Sequence, residues 1–322
     1  MGSADRARLD PSTRVFGLLL ALGGVIALSP DALIIRLVDE SPSTVLFWRG
    51  LFSTLSLLAI VTVMFRGNLR RAFLSILPIG ALVAGLHGAS NVSFVVAVSH
   101  TTAANVLVIF GAVPLFAALL SRAFLGEPVP PRTWVAIACV FGGVGLIFTG
   151  ARPQAALFGD VVALVGAICS AAAITCVRRA KAVNMVPAAV LAAAVVFLLA
   201  GFLGATVPPA GDLALLCLHG AVLVAAAAAL LTTALRYLPA PEVSLISRGE
   251  LVLGPLWLWI VIGEVPAPTT IVSGVIIATT LTTHTLLGLR ADRQGDVAET
   301  RLGPIESAAP DQPAAAQELV DP

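Results

Sequence analysis

Apolar stretches of about 20 residues recur along the chain from Val15 to Leu289, and short polar segments connect them. A helix of this length crosses about 30 Å of hydrocarbon, so each stretch predicts one membrane span. The pattern therefore predicts an all-α polytopic membrane protein with ten transmembrane helices. The predicted spans are residues 15–37, 44–65, 73–96, 102–123, 133–150, 157–177, 186–206, 212–234, 242–262 and 268–289.

The composition agrees with this pattern. Of 322 residues, 58% are hydrophobic and 11% are charged, whereas a soluble protein has about 25% charged residues. The first run is too long for a signal peptide and contains Asp31, so it is predicted to be a span. The four cysteines lie inside predicted spans without the spacing of a zinc site. No metal, other cofactor or nucleic-acid partner is expected.

Two stretches of the chain resemble each other at a nearly constant shift. Residues 103–127 match residues 240–264 at a shift of 137, including the Gly-Glu pair that ends each stretch. Phe16-Gly17 matches Phe158-Gly159 at a shift of 142. Weak duplication in a polytopic membrane protein is typical of many transporter folds. It predicts two homologous repeats of five helices, residues 15–150 and 157–289.

The positive charges predict the orientation. If the N-terminus is cytoplasmic, 15 of the 19 Lys and Arg residues lie on the cytoplasmic side, two lie outside, and Arg49 and Arg248 lie within spans. Both ends, residues 1–14 and 290–322, are then cytoplasmic, and the second lacks periodicity and is predicted to be disordered. Because five is odd, the repeats have opposite orientations, an arrangement that favours alternating access.

Asp31 and Arg49 lie almost equally far from the loop that joins the first two helices, so an antiparallel hairpin places them at the same depth. A charge in the membrane costs about 2.5–3.5 kcal/mol and needs a partner or a function. Two interpretations remain open. The residues form a structural ion pair, or Arg49 binds an anionic group of a substrate while Asp31 orients it.

Arg248 and Glu250 lie in the first half of the ninth helix and point in different directions. Ionisable groups at this depth are functional by default, and a carboxylate here can bind and release a proton as access alternates. Glu250 is therefore the first candidate for coupling or substrate contact. Arg248 either faces the cavity or snorkels to the cytoplasmic surface.

Further polar residues lie in the third and fourth helices. His87 and Asn91 share one face, and Asn105 begins the next helix. They either line a polar cavity or form hydrogen bonds between helices. His219 is isolated on an apolar helix and is interpreted as packing, as is His284. The tetrad Leu-His-Gly-Ala occurs at 86–89 and 218–221, but its shift of 132 is out of register with the repeat and is interpreted as chance.

Both repeats carry a proline within an apolar helix and a glutamate at its end. Pro114 and Pro255 are predicted to interrupt their helices, which in transporters points to a binding site. Their positions differ by four residues in the repeat, since Leu251 stands where Pro114 would recur. Glu127 and Glu264 are predicted to stabilise the loops at the helix ends.

The stretch AANVLVIFGAVPLFAALLSRAFLGE, followed by TWVAIACVFGGVGLIFTG and preceded by FWRGLF around Arg49, resembles the EamA-type family of the drug/metabolite transporter superfamily. The resemblance covers residues 15–289 and is most specific in the first half. It implies ten helices in an inverted repeat in a prokaryotic inner membrane, and secondary transport of a small metabolite, often export. It also implies a cavity that includes Asp31, Arg49, His87, Asn91, Asn105 and Glu250.

Two other functions compete with transport. An enzyme is not expected, since the sequence has none of the common catalytic motifs. A sensor or scaffold requires a sizeable polar segment, and the longest is the C-terminal one, so removing residues 291–322 distinguishes it from a transporter. The substrate, the coupling ion, the direction of transport and homodimer formation remain open.

Overall fold

The computed structural model describes residues 11–126, 130–149, 154–179, 186–234, 237–238, 240–247 and 249–302. Within these ranges all regular secondary structure is helical. The helices are α1 Pro11–Leu28, α2 Asp31–Leu37, α3 Pro42–Met64, α4 Leu69–Leu74, α5 Ile79–His100, α6 Ala103–Gly111, α7 Val113–Leu125, α8 Pro131–Ile147, α9 Gln154–Arg179, α10 Val186–Phe202, α11 Ala210–Cys217, a π-helical turn Leu218–Leu223, α12 Val224–Ala234, α13 Ala240–Ser247, α14 Glu250–Ile262 and α15 Pro268–Leu302.

Seven helical segments in the described part of the chain are long and apolar enough to cross a membrane. They are Val15–Leu37, Pro42–Met64, Ile79–His100, Ala103–Leu125, Gln154–Arg179, Ala210–Leu231 and Pro268–Gly288. Three shorter apolar helices, α8, α10 and α14, coincide with further predicted spans. The predicted all-α polytopic membrane protein is confirmed, and the total of ten spans stays a prediction.

Side chains and glycines define several helix ends. Ser41 accepts a hydrogen bond from the Thr44 amide before α3, and Thr102 does the same for the Asn105 amide before α6. The helices α7 and α14 end alike: Gly126 and Gly263 have φ angles of 67° and 68°, in the left-handed region that favours glycine. These two glycines are 137 positions apart, at the shift of the sequence repeat.

Two spans are broken at matching positions. The helix α6 ends at Gly111 and α7 begins at Val113, with Pro114 in its first turn, so the predicted interruption is confirmed. The break between α13 and α14 falls just before Glu250, 137 positions after Val113. The prediction for Pro255 is wrong, because α14 continues through this proline and the break precedes it.

The two broken spans contact each other near their breaks. An added Cβ at Gly111 would lie 2.8 Å from a terminal methyl group of Leu251 in α14, so a larger residue here would require the Leu251 side chain to shift. Around the crossing lies the main core, and α6 is its most buried helix, with Ala103 to Ile109 all buried. The main core is surrounded by pairs of packed helices: α5 with α9, α3 with α10, α1 with α12, and α8 with α15.

The last helix is longer than predicted. Residues 268–289 were the expected span, and α15 continues to Leu302, through the first part of the segment predicted to be disordered. Residues 303–322 lie outside the described part of the chain, as do residues 1–10.

Candidate functional site: a polar cavity at the crossing of the broken helices

A cavity of about 520 Å³ lies beside the crossing of the two broken spans. Both halves of the chain line it, and so do both breaks, through Gly111 and Val113 on one side and Glu250 and Leu251 on the other. Its polar side chains come from Asp31, Arg49, Ser53, His87, Ser90, Asn91, Ser170, Ser247 and Glu250.

Five of the seven residues predicted from the sequence therefore lie at one cavity: Asp31, Arg49, His87, Asn91 and Glu250. Asn105 does not line it, and Arg248 lies outside the described residues. We call the side of the bundle on which α1 begins the N-terminal side. The cavity reaches towards that side, where α9 ends and α10 begins, through Ile174 and Ala189.

Asp31 and Arg49 form an ion pair at the other end of the cavity. The Arg49 Nη2 atom donates to Asp31 Oδ2 over 2.9 Å, and each side chain is 12% exposed. Asp31 begins α2 after a turn at Ser29-Pro30, and a carboxylate is favourable in the first turn of a helix. The equal depth inferred from the sequence is confirmed, and Arg49 nevertheless lines the cavity.

His219 makes a buried contact with Asp31 that the sequence does not predict. Its Nε2 atom lies 2.9 Å from Asp31 Oδ1, and the residue is 1% exposed. The interpretation as simple packing is wrong, because the ring contacts a buried carboxylate. His219 lies in the π-helical turn Leu218–Leu223, a distortion frequently found at functional sites.

One sequence signal pointed to His219. The tetrads Leu-His-Gly-Ala at 86–89 and 218–221 place one histidine in α5 and the other in the segment from α11 to α12, the third and eighth of the predicted spans. The proline before α5, Pro78, and the one before α11, Pro209, are 131 positions apart. The two shifts differ by one residue, so the two histidines lie at nearly the same distance from the start of their helices.

The part of the cavity wall that α5 and α6 form combines polar and aromatic groups. The Asn91 amide donates to the His87 carbonyl within α5, over 2.9 Å, which leaves its carbonyl oxygen for other contacts. Phe94 and Phe110 pack edge to face, with ring centres 5.1 Å apart. The cavity thus offers hydrogen-bonding groups at an apolar surface, as small-molecule sites usually do.

A polar network lies beyond the ion pair, away from the N-terminal side. Asp160 of α9 is fully buried and accepts hydrogen bonds from Thr101 Oγ1 (2.8 Å) and from Asn105 Nδ2 (3.1 Å). Asn105 accepts in turn from Thr270 of α15. Of the two interpretations of Asn105, the structure shows hydrogen bonding between helices. Asp160 was not recognised in the sequence.

Arg36 and Glu264 extend this network. Arg36 Nε lies 3.3 Å from Glu264 Oε2, and Arg36 Nη2 donates to the Thr101 carbonyl over 2.6 Å. The other oxygen of Glu264 accepts from the Ala103 amide at the start of α6 (2.9 Å). Glu264 has a structural role, as predicted, but its side chain joins the end of α14 to α2 and α6, while the predicted stabilisation of its own loop stays a prediction. Glu127 lies outside the described residues. We call Arg36, Thr101, Asn105, Asp160 and Glu264 the polar seal.

The chain is similar to one solved structure in its fold and to one protein family in part of its sequence. One solved structure, titled "Crystal structure of protein", is 18% identical, covers 85% of this chain and 98% of its own, and has a TM-score of 0.56. At this identity the likeness concerns the fold alone. No curated protein matches the chain. The model of the EamA-like transporter family matches residues 15–149. Over residues 15–149 the chain is therefore similar to the EamA-like transporter family, a family of the drug/metabolite transporter superfamily.

Proposed function

We propose that the chain is a secondary active transporter that moves a small polar or anionic metabolite across the inner (plasma) membrane by alternating access. One observation carries the proposal: the cavity lies where two spans, related by a shift of 137, break at corresponding positions. Broken helices at equivalent places in two repeats form the substrate sites of many transporters.

The proposal includes an inverted repeat of five plus five helices. The matching left-handed glycines at the ends of α7 and α14 support it, as do the matching breaks. In this arrangement both termini are cytoplasmic, and the structure corresponds to a state whose cavity reaches the cytoplasmic side. The family match favours export, since the resemblance to EamA-type proteins implies it.

The chemistry of the cavity favours a polar or anionic substrate. Arg49 presents a guanidinium fork, which binds a carboxylate or phosphate through two hydrogen bonds. The first residue of α7, Val113, also lines the cavity, and the N-terminus of a helix carries partial positive charge. His87 and Asn91 supply further hydrogen bonds.

Glu250 is the proposed coupling residue. It begins α14 at the second break and lines the cavity, so its protonation is linked to the side on which the cavity is open. Substrate exchange without protons is the variant of this mechanism in which Glu250 has only a structural role.

Proteoliposomes that contain a pH-sensitive dye test the proposal. Fractionated metabolite pools are added to the wild type, Glu250→Gln and Asp39→Asn, the last removing an exposed carboxylate outside the cavity. We expect one fraction to trigger a proton flux in the wild type and Asp39→Asn, but not in Glu250→Gln. Metabolite counterflow without proton flux would indicate an exchanger. If no fraction gives flux or counterflow, the transport function is wrong.

The alternative class is a sensor or scaffold that acts through its C-terminal segment. Removing residues 303–322, beyond the last described helix, separates the two functions. A transporter keeps its flux after this truncation, and a scaffold of this kind loses its activity.

A further inference from the structure

The two carboxylate oxygens of Asp31 face two different bases. Oδ2 lies 2.9 Å from the Arg49 guanidinium, and Oδ1 lies 2.9 Å from His219 Nε2. Arg49 carries a permanent charge, whereas histidine ordinarily changes charge near neutral pH. The cluster therefore holds one negative charge, one fixed positive charge and one that depends on a proton.

We propose that His219 couples anion binding at Arg49 to the uptake of one proton. This inference rests on the proposed function and specifies it: the substrate has an anionic group, and each such group moves together with one proton. Arg49 lines the cavity and is shared between Asp31 and the substrate, while His219 lies behind Asp31 and is 1% exposed.

Anion binding at Arg49 and proton uptake by His219 balance each other in charge. In the empty state Asp31 is neutralised by Arg49, and His219 is neutral. When the anion binds Arg49 it competes with Asp31, whose negative charge then lacks its partner. His219 takes up a proton and neutralises Asp31 through the contact with Oδ1. One negative charge and one proton enter together, so the net charge of the site remains unchanged.

The surroundings of His219 suit this role. Its Nδ1 atom, which receives the added proton, is buried and has no hydrogen-bond partner among the described residues, so no second bond fixes the ring in one protonation state. Protonation also favours the ion pair with Asp31 in the low dielectric of a buried site.

The backbone next to His219 is held against Arg49. At Gly220 an added Cβ would lie 2.7 Å from the Arg49 carbonyl oxygen, and the Gly220 carbonyl accepts a hydrogen bond from Ser56 Oγ (3.1 Å). The π-helical turn thus packs directly on α3. Because these two backbone segments are in direct contact, a movement of Arg49 on anion binding acts on the residue next to His219.

Few titratable or charged groups face His219 in the described structure. The facing group on α2 is Asp31. The facing group on α3 is Arg49, which lies on the far side of the Asp31 carboxylate. On its own helical segment the neighbouring titratable group is Cys217. Glu250 lines the same cavity and is the second proton site of the proposed function.

The test needs no knowledge of the substrate, because Arg49→Gln mimics the removal of Arg49 from Asp31. The charge state of His219 is measured by ¹⁵N NMR of the histidine-labelled full-length protein in nanodiscs at pH 7, with His219→Gln to assign the signal. We expect a neutral ring in the wild type and a ratio of charged to neutral ring that is about tenfold higher or more in Arg49→Gln.

Two controls define the result. Arg49→Lys keeps the charge and should leave the ring neutral, and Asp31→Asn in the Arg49→Gln background should return the ring to neutral. An unchanged ratio in Arg49→Gln would overturn the proposal. If Arg49→Gln does not fold, Arg49→Met takes its place, with the same rise in the charged-to-neutral ratio expected and the same unchanged ratio overturning the proposal.

This outcome is distinguishable from failure of the proposed function. A responsive His219 without any flux in proteoliposomes would leave the coupled cluster intact and remove transport. Flux with an unresponsive His219 would retain transport and assign the proton to Glu250 or to none.

Discussion

The contact between Arg36 and Glu264 is expected to keep the cavity closed on the side away from the N-terminus. Glu264 follows α14 and makes two interactions, one with Arg36 of α2 and one with the Ala103 amide that begins α6. Replacing it with glutamine preserves an acceptor for the amide and removes the charge. Replacing it with alanine removes both interactions.

The expected losses of unfolding free energy depend on how deeply the Arg36–Glu264 pair is buried. Arg36 is 29% exposed and Glu264 is 18% exposed, so the pair lies between an exposed pair, worth about 0–1 kcal/mol, and a buried one, whose disruption costs about 3–5 kcal/mol. We expect Glu264→Gln to lower the free energy of unfolding by about 1 kcal/mol. Glu264→Ala also loses a hydrogen bond to a charged group and should lower it by about 2–4 kcal/mol.

The assay is unfolding by SDS in mixed micelles, on Glu264→Gln, Arg36→Gln and the double variant. The double variant should be less destabilised than the sum of the single variants by about 0.5–1 kcal/mol. Conformation is read separately through Ser53→Cys in a cysteine-free protein, since Ser53 lines the cavity. We expect faster labelling from the side away from the N-terminus in both single variants. Additive energies together with unchanged labelling would refute a sealing role for this pair.

Three further substitutions test the packing around the site. Gly220→Ala forces a Cβ against α3 and should cost about 1–3 kcal/mol in the free energy of unfolding, whereas Gly142→Ala, which has open space within 4 Å, should be neutral or stabilising. Asp160→Ala leaves two buried donors without their acceptor and should cost at least about 2 kcal/mol, while Asp160→Asn, which keeps an acceptor, should cost less. Trp257→Phe loses the hydrogen bond to Ser29 Oγ and should cost about 1 kcal/mol. Each is measured by the same unfolding assay, and equal stability of the paired variants would contradict the assigned contacts.

The features predicted from the sequence are those that depend on local pattern. The apolar runs predict the spans because each helix in lipid must satisfy its backbone internally. The pairing of Asp31 with Arg49 was also predictable, since only 18 positions and one short loop separate them. Arg49 and Glu250 were recognised as cavity residues because charge is rare at that depth.

The features that were missed depend on distant parts of the chain. His219 lies 188 positions from Asp31, and its surroundings in the sequence are apolar, so no local pattern indicates the contact. Asp160 lies near a predicted helix end, where a carboxylate is ordinary, and its donors Thr101 and Asn105 come from the turn before α6 and from α6 itself. The second helix break was placed at Pro255 because proline is the usual cause, whereas the break follows the repeat.

The polar seal has an electrical consequence. A transmembrane voltage falls mainly across the part of a transport path that water does not fill. Under the proposed function, that part is the layer of Arg36, Thr101, Asn105, Asp160 and Glu264 beyond the cavity. Moving one charge through the whole voltage is worth about 2.3 kcal/mol per 100 mV. A charge that enters the cavity as far as Arg49 crosses little of that voltage, so the energy of the membrane potential acts chiefly on the step in which the seal opens.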